Sequence, residues 1–389
     1  MRQDHCTITP ATVRSTARQA LRTVLTWRAY GRLVTVGKLL DVLLLAASLV
    51  SSLAAVVRRF AFGFSHETAR QAVNANLPEL TELTNGLLDA LYLFGTRALR
   101  RRSWVVAIDE HRCPFYGDRS TPGVTGGPKK HGTKYAYGYA TAVLVHHRHR
   151  LTVGLLALTG GEKPHEVVAA LLAQMEARGV KLRGVVLDSA YDSGATLLLL
   201  QERKLSYTVP LRRKGNKNNR RNALWLLEVG TVTTVEWQTE KTRQPVSTQA
   251  VVLQRPQDKD KKVYAFGGWG AAEARSEVRR ARLAKRWYRK RFGIETSYRQ
   301  MNEAQAKTTK KDIRYRLLLI GVALLLRQVW VWLTAQVAHA WDLRPTEDVP
   351  DLRLAQMGDW LADVLKRKYK EDKVIHLGVP LLPLGRASL

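Results

Sequence analysis

The chain has 389 residues, 63 of them Lys or Arg and 33 Asp or Glu, so its net charge is +30 and its pI about 10.5. A field of that sign calls for a polyanionic partner, phosphate backbone ahead of an anionic membrane surface, while 45% hydrophobic residues exclude a basic disordered tail. Its two cysteines, Cys6 and Cys113, lie far apart, which excludes a disulfide framework and a Cys-based zinc site and suits a reducing cytoplasm.

The opening residues contain no early apolar core, so no signal peptide is expected. Residues 1–100 read as a helical region for DNA binding or dimerisation. Within it, "LLDVLLLAASLVSSLAAVV", 39–57, is long enough to span a membrane. Its three serines and the flanking Lys38, Arg58 and Arg59 favour a buried helix, and no membrane partner is expected. Further on, Ser65 is placed to cap a polar helix bearing Arg70, Gln71 and Asn74 after a turn at Gly63. That helix is either the second of a helix-turn-helix or an ordinary surface helix.

After Ser103 the periodicity changes. Strands are predicted at 104–109, 134–147 and 150–158, a helix at 163–179, a strand within 182–194, a helix from Ala195 and a strand at 206–211. Three meandering strands followed by alternating helices and strands specify a mixed α/β sheet. This core, 101–211, is followed by a β-rich insertion at 212–272, which opens on the basic loop "RRKGNKNNRR". Helix returns at about 273 and runs to roughly 306; a second apolar run, 317–341, is broken by Arg327 and Gln328. These two form the rest of the core, 273–341, and an amphipathic helical tail occupies 342–389.

Two acids fall where a lone charge is costly: Asp109 ends "WVVAID" and Asp188 ends "VVLD". Adjacent carboxylates repel, and a divalent metal relieves that, since Mg²⁺ is held by one or two carboxylates together with water and phosphate. A third acid, Glu295, stands nearly alone in the basic stretch "KRWYRKRFGIETSYRQ". Tyr288, Arg291 and Glu295 are spaced to share one helix face, so Glu295 is either the partner of Arg291 or a third metal ligand.

The segments "VVAIDEHRCPFYGD", "VVLDSAYDSG" and "YRKRFGIETSYRQ" together resemble DDE transposases of the RNase-H-like type, in the insertion-sequence family four group. The third matches that group's Y-x2-R-x3-E signature at Tyr288, Arg291 and Glu295, and the similarity covers about 104–335. The signature's later Lys is replaced by Asn302, with Lys307, Lys310 and Lys311 nearby. The resemblance implies an RNase-H-like mixed sheet with a β-rich insertion, flanked by helical N- and C-terminal regions. It implies a prokaryotic insertion-sequence enzyme, cytoplasmic and nucleoid-associated, that cuts transposon ends and joins them to target DNA as a homodimer. Asp109, Asp188 and Glu295 would hold two Mg²⁺ ions, with Mn²⁺ as a substitute. Tyr288, Arg291, Lys285, Arg299, Lys129, Lys130, Lys134, Arg212 and Arg213 are the expected DNA contacts. Trp237, with Trp225 in reserve, is the aromatic for stacking on a base; burial in the β insertion is the competing reading for both. His146, His147 and His149 are expected to be solvated, and Asp192 to serve as a turn or helix cap. The alternative is a catalytically degenerate or domesticated RNase-H-like DNA-binding protein or nuclease without transposition activity, which Asn302 permits.

Overall fold

A computed structural model describes residues 8–130, 132–146, 150–213, 220–239, 242–254, 260–269, 276–343 and 353–370. Helices come first: α1 (Pro10–Val24), α2 (Val36–Ser48), α3 (Leu53–Arg59), α4 (His66–Ala75), α5 (Leu80–Tyr92) and α6 (Thr96–Arg101). Side-chain hydroxyls start four of them: Thr9, Thr35, Ser52 and Ser65 each accept a backbone N–H of the first turn. The 39–57 run is therefore not one helix. It breaks between α2 and α3, where Val50 takes a left-handed conformation (φ 48°) and Ser52 begins a new turn.

Strands and helices then follow in the order β1 (Trp104–Pro114), β2 (Val124–Lys130), β3 (Thr133–Leu144), β4 (Thr152–Leu158), α7 (Pro164–Ala177), β5 (Leu182–Leu187), α8 (Gly194–Glu202), β6 (Ser206–Leu211), β7 (Val232–Gln238), β8 (Pro245–Leu253) and β9 (Lys262–Gly267). The last four helices are α9 (Glu277–Lys290), α10 (Phe292–Asn302), α11 (Ile313–Ala340) and α12 (Leu354–Tyr369). All nine strands join one sheet in the order β2-β3-β1-β5-β6-β9-β8-β7, with β4 also on β3. The β1, β5 and β6 strands are parallel and the remaining pairings antiparallel, giving the mixed sheet expected.

The β-rich insertion does not stand apart as a module. Strand β9 pairs antiparallel with β6, so β7–β9 continue the sheet where β6 would otherwise be a bare edge. That continuation also positions α9. Trp269, just after β9, is buried and donates its indole N–H to Tyr207 O at 2.6 Å, and Trp287 of α9 stacks on it at 5.6 Å. At the far end of β5 the packing leaves no slack: a Cβ on Gly184 would lie 2.6 Å from Ser206 O and 2.8 Å from the Trp269 ring. Gly184→Ala is expected to cost about 1–3 kcal/mol through forced displacement of β6 or Trp269, read as a lower denaturant midpoint at unchanged slope.

Helix α11 is long and apolar enough to cross a membrane, yet 83% of its most apolar window is buried inside the protein. It runs through the core between the N-terminal helices and the sheet. Arg327 and Gln328 are buried polar breaks in it: Gln328 bonds Thr152 N and Leu91 O, and Arg327 donates to Arg150 O and Gln300 Oε1. Helix α12 closes the N-terminal layer against α1 and α2. There Asp41, wholly buried, accepts from Arg14 at 2.7 Å, Lys368 at 2.8 Å and the Tyr369 hydroxyl at 2.6 Å. The tail beyond 370 lies outside the described residues.

Candidate active site

Strand β1 does not end at Asp109 as its apolar pattern predicts. It continues to Pro114, but its parallel pairing with β5 stops at Ile108↔Leu187, and beyond that point it pairs with β3 alone. Asp109 and Asp188 are the next residues on both strands, so they emerge side by side where the sheet opens. Asp109 is still paired with Thr141 of β3, so its backbone is held while β5 no longer pairs alongside it.

The helix carrying Glu295 approaches from one face. Its hydrogen bonding breaks between α9 and α10, but Arg291 at the junction keeps helical angles (φ −56°, ψ −33°), so the chain bends without reversing. Tyr298, one turn beyond Glu295, fastens α10 to β1: its buried hydroxyl lies 2.7 Å from Asp109 O and 2.9 Å from Thr141 Oγ1. Tyr288 of α9 packs edge-on against Tyr264 of β9 at 4.8 Å.

Three acids from distant segments are thereby gathered around one guanidinium. Arg291 lies 3.1 Å from Asp109 Oδ2, 3.7 Å from Asp188 Oδ1 and 2.8 Å from Glu295 Oε1. The ion pair expected of Arg291 and Glu295 exists, and it is one arm of a larger cluster. Arg291 is 6% exposed, so it faces the acids and not an open phosphate-binding surface. The reason is electrostatic: three converging carboxylates need a cation more than solvent does. Burial pushes the Asp109 carboxyl up to about 6, against the pull of Arg291 and the Glu110 backbone N–H, while Asp188 and Glu295 add to the rise. Burial likewise pushes the Tyr288 hydroxyl up to about 12. Among the described residues no three acids or imidazoles close into a ready cage for an ion. The donor set is all carboxylate oxygen and partly open, with Asp188 37% and Glu295 44% exposed, and it already surrounds one positive charge. That fits a hard divalent cation completing its shell with water and phosphate.

The other expected site residues are placed less closely. Lys129 and Lys134 are exposed on the β2–β3 hairpin, while the side chain of Lys130 lies outside the described residues. Arg299 is exposed on α10, and Lys285 is half-buried beside Tyr264 and Tyr288. Arg212 and Arg213 are exposed at the end of β6; most of the basic loop after them, 214–219, and the histidines 147 and 149 lie outside the described residues. His146 rests edge-on against Trp104. Trp225 is buried, and Trp237 is half-buried with the Arg221 guanidinium 4.6 Å over its ring, so one of its faces is already covered.

Asp192 is not simply a cap. It forms a buried pair with Arg221 at 2.7 Å and accepts the Arg212 N–H at 2.8 Å, tying the turn after Asp188 to the chain beyond β6. No local pattern announces Arg221 as its partner. Tyr298, by contrast, was open to detection: it stands three residues from Glu295 on the same helix face. Asn302 ends α10 in solvent, whereas Lys307 and Lys310 line a pocket against α3 and α4.

Residues 100–326 match the family model described as a transposase DDE domain. No curated protein matches the chain. Among solved structures, the cryo-EM structure of the piggyBac transposase synaptic complex with hairpin DNA aligns with a TM-score of 0.60 and 12% identity, over 96% of this chain and 84% of that one. At that identity the likeness is one of fold.

Proposed function

We propose, from the premise that this chain belongs to the transposase DDE domain family, that it is a metal-dependent DNA transposase of a prokaryotic insertion sequence, close to the family four group. The observation that carries this reading is the convergence of Asp109, Asp188 and Glu295 on a single buried guanidinium. These three residues would hold two Mg²⁺ ions, or Mn²⁺ in their place. When bound, such ions make a water or a 3′-hydroxyl more acidic and offset charge on the leaving oxygen.

The protein's own part is to set the three acids in place. Tyr298 fixes α10 on β1, the Trp269–Trp287 stack fixes α9 on the sheet, and Arg291 offsets part of the acids' mutual repulsion. The net charge of +30 supports double-stranded DNA, terminal repeats and target alike, as the partner. Exposed Lys129, Lys134, Arg299, Arg212 and Arg213 are the phosphate contacts in this reading, with Lys285, Tyr288 and the half-buried Trp237 nearer the strand. Residues 1–100 and 342–389 flank the catalytic part, whose two segments are 101–211 and 273–341 with the insertion 212–272 between them. The enzyme would act as a homodimer on two ends, at the nucleoid in the cytoplasm.

The exposed Asn302, in place of a signature lysine, favours the one competing reading, a DNA-binding relative without cleavage. Supercoiled plasmid carrying the element's ends, incubated with Mg²⁺, Mn²⁺ or EDTA, separates the two. Metal-dependent nicking at the ends, lost in Glu295→Gln while binding persists, is the expected result; binding with no cleavage by the unaltered protein would establish the competing reading.

A further inference from the structure

Helices α3 and α4 and the segment that follows α10 border an open pocket of about 300 Å³. Its walls are held together by main chain: Lys307 N donates to Ser51 O at 3.0 Å, and Ser52 and Lys307 form a parallel bridge. His66, Arg70, Lys307 and Lys310 line it, together with the hydroxyl residues Ser52 and Thr308. Arg58 adds a further cation behind the wall, its Nη2 2.9 Å from His66 Nε2.

Acid balances this crowd only in part. Glu67 is paired with Arg70, and Asp312 with Arg314 at 3.1 Å. Lys310 is left with a neutral acceptor, Asn74 Oδ1 at 3.1 Å, and the Tyr315 ring at 5.5 Å. Burial, then the neighbouring Arg70, pull the Lys310 ammonium below its ordinary pKa, with Asp312 and Glu67 opposing. Cations on separate segments, Lys310 among them partly desolvated, stand beside hydroxyls and make a seat for an oxyanion.

We propose that this pocket binds a backbone phosphate of a nucleic-acid strand, clamping it between the N-terminal helices and the segment leading out of the Glu295 helix. The proposal rests on the DNA-transposase reading and adds to it a contact that lies outside the carboxylate site. A strand held there is registered against α4 and α10 at once, so its path across the acids is set by both parts of the chain.

The test is the salt dependence of duplex binding. Each phosphate contact contributes about 0.9 to the slope of log affinity against log salt, so Lys310→Gln and Lys307→Gln, which act on the same contact, are each expected to lower that slope, by no more than about one. Lys181→Gln, an equal loss of charge before β5 at the opposite end of the strands, should leave it unchanged. Lys310→Gln keeps a donor for Asn74 and relieves the crowding, so the free protein should melt no lower than the unaltered one; this separates lost binding from lost fold. Orthophosphate alone should shift the melting of both proteins alike. Strong duplex binding with an unchanged slope in both pocket variants overturns the clamp while leaving the transposase reading intact. Absence of salt-dependent duplex binding by the unaltered protein overturns both. A stabilisation by orthophosphate confined to the unaltered protein, with no change in slope, would replace the strand with a free phosphate compound.

Discussion

Asp109→Asn is expected to abolish metal-dependent cleavage, by about a thousand-fold or more, and at the same time to stabilise the metal-free protein. The first effect follows from removing one of three carboxylates at the centre; a thousand-fold is about 4 kcal/mol of barrier. The second follows from burial. Asp109 stands 17% exposed between Asp188 and Glu295, and its carboxyl is pushed up to about 6 from an ordinary 3.8. A carboxyl raised in this way binds a proton more tightly folded than unfolded, so metal-free stability should fall as pH rises from 3.8 toward 6 and then level. The amide has no charge to bury and lacks that slope, for a gain above pH 6 on the order of 1–3 kcal/mol. Thermal melting in EDTA across pH 4–8 reads the gain, and plasmid nicking in Mg²⁺ reads the loss. Cleavage that survives the substitution would remove Asp109 from the centre. Equal melting of the two proteins throughout would mean that the site does not desolvate it.

Asp41→Ala should be the most damaging change far from the acids. Burial pushes the Asp41 carboxyl up, but hydrogen bonds from Arg14, Lys368 and Tyr369 outweigh it and leave the group below its ordinary 3.8. Removing one member of a buried charged cluster costs about 3–5 kcal/mol, and the lower end applies here because Arg14 and Lys368 retain access to water. A carboxyl lowered on folding stabilises the folded state above its unfolded value and loses that contribution as pH falls. The gap between the native protein and Asp41→Asn should therefore be full at neutral pH and shrink below pH 3.8. Limited proteolysis should release α12 first. A variant that melts normally at pH 7 would show that α12 is held by its apolar contacts alone.

The cluster of acids was legible in the sequence because it rests on residue types in local patterns. An apolar strand leading into Asp109, another into Asp188 and an acid isolated among cations at Glu295 each stand out within a dozen residues, and resemblance joined the three. The mixed sheet was legible for the same reason, from alternation and helix caps. Strand β2 escaped because "VTGGPKK" has none of the β-branched or aromatic density of a strand; it forms by pairing with β3. The continuation of the sheet through β9 and the bond between Asp192 and Arg221 are contacts across long stretches of chain, to which periodicity is blind. Arg291 shows a subtler limit. Its spacing placed it on the right face, but whether a guanidinium there meets DNA or the acids depends on how many carboxylates arrive from elsewhere.

The fastening at Asp41 also has a bearing on how the chain is made. Its partner Lys368 lies 327 residues later, and at ordinary rates of synthesis that distance takes on the order of half a minute to emerge from the ribosome. Through that interval Arg14 is the one of Asp41's two ionic partners already made. Helix α12 thus locks α1 and α2 late, and a chain interrupted before it carries all three clustered acids on an N-terminal layer left unfastened.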